Sequence, residues 1–301
     1  MNNRNFMALL EAKQAEGKCV CVGLDSDYAK IPKSVSDSAS TISLAIFNFN
    51  ERIIAATKDL VCAYKPNFAF YAAWGIEGLE ALESTIRYSH AIAPTVPVIL
   101  DVKDADIGKT NDGYVKMDFD WLLADAITTN PYLGQEAVQP FLDCKDKGVF
   151  VLCRTSNKGA KEFQDLLVDI DSVDDREIIN ARLGRAAAHP IRFYQYVAFR
   201  VANYWNKNGN CGVVAGATYP EELARIRRIV GDMQILAPGV GTQGGGVKET
   251  LLAGRNSRRQ GLIINSSSGV IFASSGPDFA EVARAEVQKI HQPALIEYCK
   301  P

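Results

Sequence analysis

Val96-Pro97-Val98-Ile99-Leu100-Asp101-Val102-Lys103-Asp104-Ala105-Asp106 runs from an apolar strand straight into alternating charges. Residues two apart on a strand project from the same face. Asp101 and Lys103 therefore stand side by side where the strand ends, and Asp106 follows closely enough to fold back towards them. Ionised groups at the rim of an apolar core cost free energy unless paired. One Asp–Lys pair would read as a salt-bridged strand end. Three charges together read as a site that does chemistry, with the lysine as a cation that stabilises developing negative charge and delivers a proton.

The same pattern, an apolar run stopped by Gly, Pro, Asn or a charge, occurs eight times, at residues 19–24, 60–64, 96–100, 125–129, 148–153, 212–215, 234–237 and 262–265. Helical periodicity separates nearly all of these runs, at 40–57, 75–90, 112–123, 134–145, 220–230 and 278–290. Strand–helix alternation predicts an α/β fold with a parallel sheet. Eight units predict a (β/α)8 TIM barrel. An open doubly wound sheet is the alternative, but the early Gly-x-Gly-x-x-Gly that it should carry is absent after the first run. Residues 1–301 are expected to form a single domain. The long interval holds a polar stretch, 156–176, and a helix over roughly 177–206; it reads as an enlarged βα connection, about 156–210, with no strand-rich segment of its own.

Composition narrows the function classes. The chain has 301 residues, 47% hydrophobic and 23% charged, ample for one large core. A net charge of −2 gives no reason to expect nucleic acid or a membrane surface as a partner. No uncharged apolar stretch is long enough for a transmembrane helix, and residues 1–17 lack the apolar centre of a signal peptide. Of the seven cysteines, Cys19, Cys21, Cys62, Cys144, Cys153, Cys211 and Cys299, most lie in strand-like runs. That predicts reduced, buried thiols and a cytoplasmic protein. Cys19-x-Cys21 reads as packing, because His90, His189 and His291 are scattered; no metal site is expected.

Reactive groups in such barrels lie at the C-terminal ends of the strands. The first run ends in Asp25, which shares a face with Gly23 and Cys21. The second ends Lys65-Pro66-Asn67, the fourth Thr128-Thr129-Asn130-Pro131, and the fifth Arg154-Thr155-Ser156-Asn157. After the seventh comes Pro238-Gly239-Val240-Gly241-Thr242-Gln243-Gly244-Gly245-Gly246, and after the eighth Ser266-Ser267-Ser268-Gly269. Any one of these is an ordinary turn signal. Together they favour a site for a polar, hydroxyl-rich anion, with phosphate near the last two loops, where glycines let backbone N–H groups approach it.

Asp101-x-Lys103-x-x-Asp106-Ile107 resembles the signature of the orotidine 5′-phosphate decarboxylase family. Val22-Gly23-Leu24-Asp25, Tyr64-Lys65-Pro66-Asn67-Phe68, Arg154-Thr155-Ser156-Asn157 and Ala237-Pro238-Gly239-Val240-Gly241-Thr242-Gln243-Gly244-Gly245 follow in the family's order, and the second and last look most like its longer subgroup. The resemblance spans about 17–273. It implies cofactor-free decarboxylation of orotidine 5′-monophosphate to UMP, in pyrimidine synthesis, by a homodimer with shared active sites. Lys103 would be the proton donor, oriented by Asp101. Asp106 would join the charge network from the partner subunit, together with Thr110 at the ribose. Asp25 and Lys65 would bind ribose hydroxyls with Asn67 nearby, Thr155 and Ser156 the pyrimidine's amide edge, and Pro238 and Gln243 the base and phosphate side. A lysine between carboxylates is expected to stay protonated, which suits an acid rather than a Schiff-base nucleophile.

Two positions depart from the family's pattern. The family places an arginine after the eighth strand, where this chain has Ser268, a single hydroxyl donor in place of a charged fork. Asp104 also stands inside the motif; strand parity turns it away from Lys103, into solvent. Sister barrels that act on sugar phosphates share the Asp-x-Lys-x-x-Asp core but use Mg2+ with a further acidic ligand, and here the second strand ends in Lys65. A non-catalytic nucleotide-binding barrel is the other alternative, against which the intact charge cluster counts.

Overall fold

The computed structural model describes residues 4–184, 190–239 and 246–298. Its strands, in chain order, are β1 (Val20–Leu24), β2 (Ala63–Pro66), β3 (Ile99–Asp104), β4 (Ala126–Thr129), β5 (Gly148–Arg154), β6 (Leu167–Val168), β7 (Ile191–Arg192), β8 (Cys211–Ala215), β9 (Gln234–Pro238) and β10 (Leu262–Ser266). Eight of them form one parallel sheet in the order β2-β1-β10-β9-β8-β5-β4-β3. The outermost two, β2 and β3, meet through the parallel bridges Tyr64↔Val98 and Asn67↔Asp101, with the Tyr64 N–H donating to Pro97 O at 3.0 Å. The sheet thus rounds into a TIM barrel, as the eight apolar runs predict, and the open sheet is excluded.

The strands read as continuous apolar runs because both faces are covered. Inside the barrel, Cys21, Ala63, Ile99, Ala126, Phe150, Val214, Leu236 and Ile263 pack together, one from each strand. Outward-facing residues pack against helices such as Ile42–Thr57, Gly75–Ile92 and Pro220–Val230 to form the larger core. Two glycines fit the strands to the filled interior. A Cβ at Gly148 would come within 2.3 Å of the Phe6 ring, and one at Gly212 within 2.5 Å of the Phe150 ring.

The bottom of the barrel is plugged by the N-terminal helix Phe6–Ala15, which begins at Asn5, whose Oδ1 accepts the Ala8 N–H at 2.9 Å. Phe6 and Leu10 join the interior layer, and Phe6 meets Phe150 edge to face, 5.7 Å between centroids. Asp125, at the start of β4, accepts from Arg4 Nε (2.7 Å) and Nη2 (2.9 Å) and from the Val98 N–H (2.8 Å), with His90 Nε2 at 3.1 Å. This closes the end opposite the polar loops.

The long connection departs from expectation in two ways. The single helix over 177–206 is two: Val173–Leu183, and Phe193–Arg200 continuing as the wider-wound Val201–Trp205. The first ends at Gly184, which takes the left-handed conformation (φ 68°) that glycine tolerates best. The connection also has strands of its own, because β6 and β7 pair antiparallel, Leu167 with Arg192 and Val168 with Ile191. Among the described residues six cysteines are free, and all but half-buried Cys144 are buried; burial pushes the thiols of Cys19, Cys21, Cys153 and Cys211 up to about 12. Among the described residues, no helix is long and apolar enough to cross a membrane.

Candidate active site

Charged side chains converge at the C-terminal mouth of the barrel. Lys65, at the end of β2, is buried yet charged: its Nζ lies 2.7 Å from Asp101 Oδ2 and 3.7 Å from Asp25 Oδ1. Asp101 uses its other oxygen on Lys103 Nζ, 2.5 Å away, and on the Thr128 hydroxyl, which donates at 2.9 Å. The Thr128 oxygen in turn accepts the Lys103 N–H at 3.1 Å. Burial works against ionised Asp101, but the two ammonium groups outweigh it and hold the carboxyl well below its ordinary range. For Lys65, burial favours the neutral amine; Asp101 and Asp25 reverse that and push it above the usual lysine range. The result is an alternating chain, Asp25–Lys65–Asp101–Lys103, whose last ammonium is 45% exposed and free to reach a ligand.

The backbone helps to aim that ammonium. Lys103 adopts φ 62°, a conformation rarely taken by a residue with a side chain. The ladder to β4 shifts register between Leu100 and Asp104, so β3 bulges where Asp101 and Lys103 turn inward. The chain on either side of Asp25 is held by a buried polar network. Ser26 Oγ donates to Asn50 Oδ1 (2.5 Å), Asn50 Nδ2 reaches Tyr71 and Thr85 at 3.0 Å each, and Tyr71 donates to Leu24 O at 2.9 Å.

These charges line a cavity of about 800 Å³. Of the residues singled out in the sequence, Asp25, Lys65, Asp101, Lys103, Thr155, Ser156, Pro238 and Ser268 line it. The β5 loop is set by Gln164, whose Oε1 accepts the Thr155 N–H (2.9 Å) and whose Nε2 donates to the Thr155 hydroxyl (2.8 Å). That hydroxyl donates to Asn157 Oδ1 at 2.6 Å. Behind it, Arg154 is buried and grips Glu222 with Nε (2.7 Å) and Nη2 (3.1 Å). Across the mouth, Gly23 is required by close approach, because a Cβ there would sit 1.9 Å from Ser267 Oγ.

Three of the singled-out residues lie elsewhere. Asp106 does not fold back onto Lys103. Its Oδ1 accepts the Ile107 N–H at 2.7 Å, and Asn111 holds the loop by accepting the Asp106 N–H (2.9 Å) and donating to the Asp106 carbonyl. Thr110 is exposed at the start of the next helix. Asn67 caps the short helix Phe68–Ala72, its Oδ1 accepting the Ala69 N–H at 3.2 Å. Gln243 lies outside the described residues. Asp104 is not solvated either: it is half-buried on the outer face of β3. Sequence reading missed the wall formed by Tyr132, Phe163, Gln164, Phe193 and Val197. Most of it comes from the long connection, whose approach to the mouth no local pattern announces; Tyr132, two residues past the noted Asn130, was the one within reach.

Known proteins resemble this chain over nearly its whole length. Residues 18–284 match the family model described as Orotidine 5'-phosphate decarboxylase / HUMPS family. The chain is 45% identical over 276 residues to the orotidine 5'-phosphate decarboxylase of Ralstonia pickettii, covering 92% of each. It is 43% identical to that of Cellvibrio japonicus, covering 94% of this chain and 95% of the relative. The chain belongs to the orotidine 5′-phosphate decarboxylase/HUMPS family. Among solved structures, the putative orotidine-monophosphate-decarboxylase of Toxoplasma gondii superposes with a TM-score of 0.79 at 34% identity, over 99% of this chain and 100% of that one. The OMP decarboxylase of Leishmania donovani gives 0.74 at 35%, over 96% and 99%. Within this family the metal-using sister chemistry fits the mouth poorly, because the Lys65 ammonium stands between Asp25 and Asp101, where a divalent ion would need carboxylate oxygens. Among the described residues, no group of three or more His, Cys, Asp or Glu side chains is arranged to hold a metal.

Proposed function

We propose that this chain decarboxylates orotidine 5′-monophosphate to UMP in pyrimidine biosynthesis, as a carbon–carbon lyase working without a cofactor. The observation that carries the reading is the alternating Asp25–Lys65–Asp101–Lys103 chain at the mouth of a cavity large enough for a nucleotide. The matching relatives bear the name of that activity.

The bond from C6 of the pyrimidine to the carboxylate breaks, CO2 leaves, and the electron pair stays on C6. No neighbouring carbonyl accepts that pair, so a fixed cation is needed at the carbon. The Lys103 ammonium, held at 2.5 Å by Asp101, stabilises the developing charge in a site whose other charges are already paired. It then donates its proton to C6 and regains one from solvent, to which it is partly exposed. Lys65 and Asp25 take the ribose hydroxyls. Thr155 and Ser156 take the amide edge of the base, Pro238 packs on it, and Gln243 and Ser268 serve the phosphate. Ser268 leaves that end with a neutral donor, which predicts weaker phosphate binding than an arginine would give.

Asp106 and Thr110 complete the site from a second copy. Supporting this, their loop projects from the barrel with Ile107 61% exposed, and on the neighbouring loop Tyr132 and Leu133 are exposed as well. Apolar groups gathered around a polar loop suit a subunit contact. The whole chain acts as one domain, with the connection over about 156–210 as a wall of the cavity.

The test is the ultraviolet absorbance of orotidine 5′-monophosphate mixed with the purified protein in EDTA. The expected outcome is rapid loss of the orotate band. An unchanged spectrum at high enzyme and substrate would overturn the reading.

A further inference from the structure

The loop after β5 carries a hydroxyl whose polarity its neighbours fix. A threonine hydroxyl has one proton to give and two lone pairs to accept with, and ordinarily turns to suit its partner. At Thr155 that freedom is gone. The Thr155 N–H can only donate, so the Gln164 atom that it meets at 2.9 Å is Oε1, and the other arm of the carboxamide is Nε2. Nε2 can only donate as well, and it does so to the Thr155 hydroxyl oxygen at 2.8 Å. The contact from that oxygen to Asn157 is 2.6 Å, shorter than N–H···O bonds run and ordinary for O–H···O. The hydroxyl therefore gives its proton to Asn157 Oδ1. Asn157 precedes the short helix Lys158–Ala160 without capping it through its side chain, so capping does not compete for that oxygen.

With its proton given to Asn157 and one lone pair taken by Gln164, the Thr155 oxygen has a single lone pair left. All three side chains line the cavity. What the loop offers a ligand at Thr155 is thus an acceptor and not a donor. The edge of an orotate or uracil ring carries N3–H between two carbonyls. Cytosine has a bare nitrogen at the same place, with a lone pair of its own. A site built to pair with an N–H rejects the analogue that lacks it, because a polar group is then left unmatched.

We propose that Thr155 determines specificity for the base: held as an acceptor by Gln164 and Asn157, it takes the N3–H of an imide pyrimidine and turns away cytosine, whose N3 faces it lone pair to lone pair. Gln164 and Asn157 act through Thr155, as positioning residues. The inference rests on the reading that Thr155 meets the amide edge of the base, and it names the atom on that edge.

Calorimetric titration of the full-length protein with UMP and with CMP keeps the test apart from turnover. The wild type is expected to bind UMP about tenfold or more tightly than CMP. Asn157→Ala returns the hydroxyl proton to Thr155, which can then donate to the N3 of cytosine. CMP binding tightens, and the ratio falls to within about threefold. Asn157→Asp still accepts the proton and keeps the wild-type ratio, an outcome that mere loosening of the loop would not give. Thr155→Val lowers the ratio too, but by weakening UMP. A ratio near one in the wild type or in Asn157→Asp, or a wild-type ratio in Asn157→Ala, overturns the inference and leaves the decarboxylase reading standing. Failure of both nucleotides to bind at millimolar concentration overturns the two together.

Discussion

The two faces of β3 carry the same kind of residue in opposite states. Asp101, on the inner face, is met by two ammonium groups and a hydroxyl, and its carboxyl is held well below the ordinary range despite burial. Three residues later, on the outer face, burial alone pushes Asp104 up to about 6, and burial with the nearby Asp104 pushes Asp118 up to about 8. Burial acts the same way on both faces. What differs is whether the strand beside the aspartate brings a cation, and β2 brings Lys65 only to the inside. A buried carboxylate is thus poised as an ion or as an acid by its cross-strand neighbours, and the inner arrangement is the one suited to holding a proton-donating lysine.

The inner face is broken most severely at Lys103. Lys103→Ala is expected to lower kcat by about 10³-fold or more, with little change in Tm because the side chain is partly exposed. Steady-state decay of the orotate band checks it; a variant retaining most of its activity would remove Lys103 from the chemistry. Next comes Lys65→Met, which strips Asp101 and Asp25 of a buried partner. Breaking such a pair costs about 3 kcal/mol, read as a lower urea midpoint. An unchanged midpoint would mean that solvent, not Lys65, stabilises Asp101.

How much of this was legible in the sequence follows from which interactions are local. Short apolar runs, each stopped by a turn residue or a charge, gave all eight barrel strands, and parity placed Asp101 and Lys103 together. Parity also turned Asp104 away from Lys103, but a strand's pattern says nothing of what covers its far side, so the partial burial of Asp104 was invisible. The plug made by Phe6 and Leu10 was missed for the same reason: its partners, Phe150 and Gly148, are far along the chain. The break in the long connection had a local sign in Gly184, overridden by the helical periodicity on either side. Asp106 was expected to fold back, but a left-handed Lys103 and the grip of Asn111 carry the loop outward.

The contrast in charge state also predicts opposite pH dependences. Asp125, at the closed end, is buried, which opposes its charge; His90 and Arg4 prevail and hold it down to about 2. Its folded value lies below the unfolded one. It therefore adds stability above pH 4 that is lost as pH falls towards 2, about 2 kcal/mol in all; Asp125→Asn should flatten that acid limb. Asp118 has the reverse sign. Its folded value lies above the unfolded one, so its contribution is full below pH 4 and lost as pH rises through 8. Denaturant midpoints across pH 4–9 should fall less steeply in Asp118→Asn than in the wild type. Equal slopes would show that Asp118 is not held as an acid.

The smallest effect concerns Asn67, which touches both accounts of the inner face. Resemblance places it near the ribose, whereas its side chain caps the helix Phe68–Ala72 and its backbone bridges to Asp101 at the β2–β3 seam. A cap contributes about 1 kcal/mol. Asn67→Ala should therefore lower stability by about that amount, and Asn67→Ser, which can still accept the Ala69 N–H, should restore most of it. The KM for orotidine 5′-monophosphate should move less than twofold in either variant if the amide serves the helix alone. A KM that rises severalfold while the melting temperature stays put would instead place the amide on the substrate, and would mean that the loop turns Asn67 towards the cavity when the nucleotide binds.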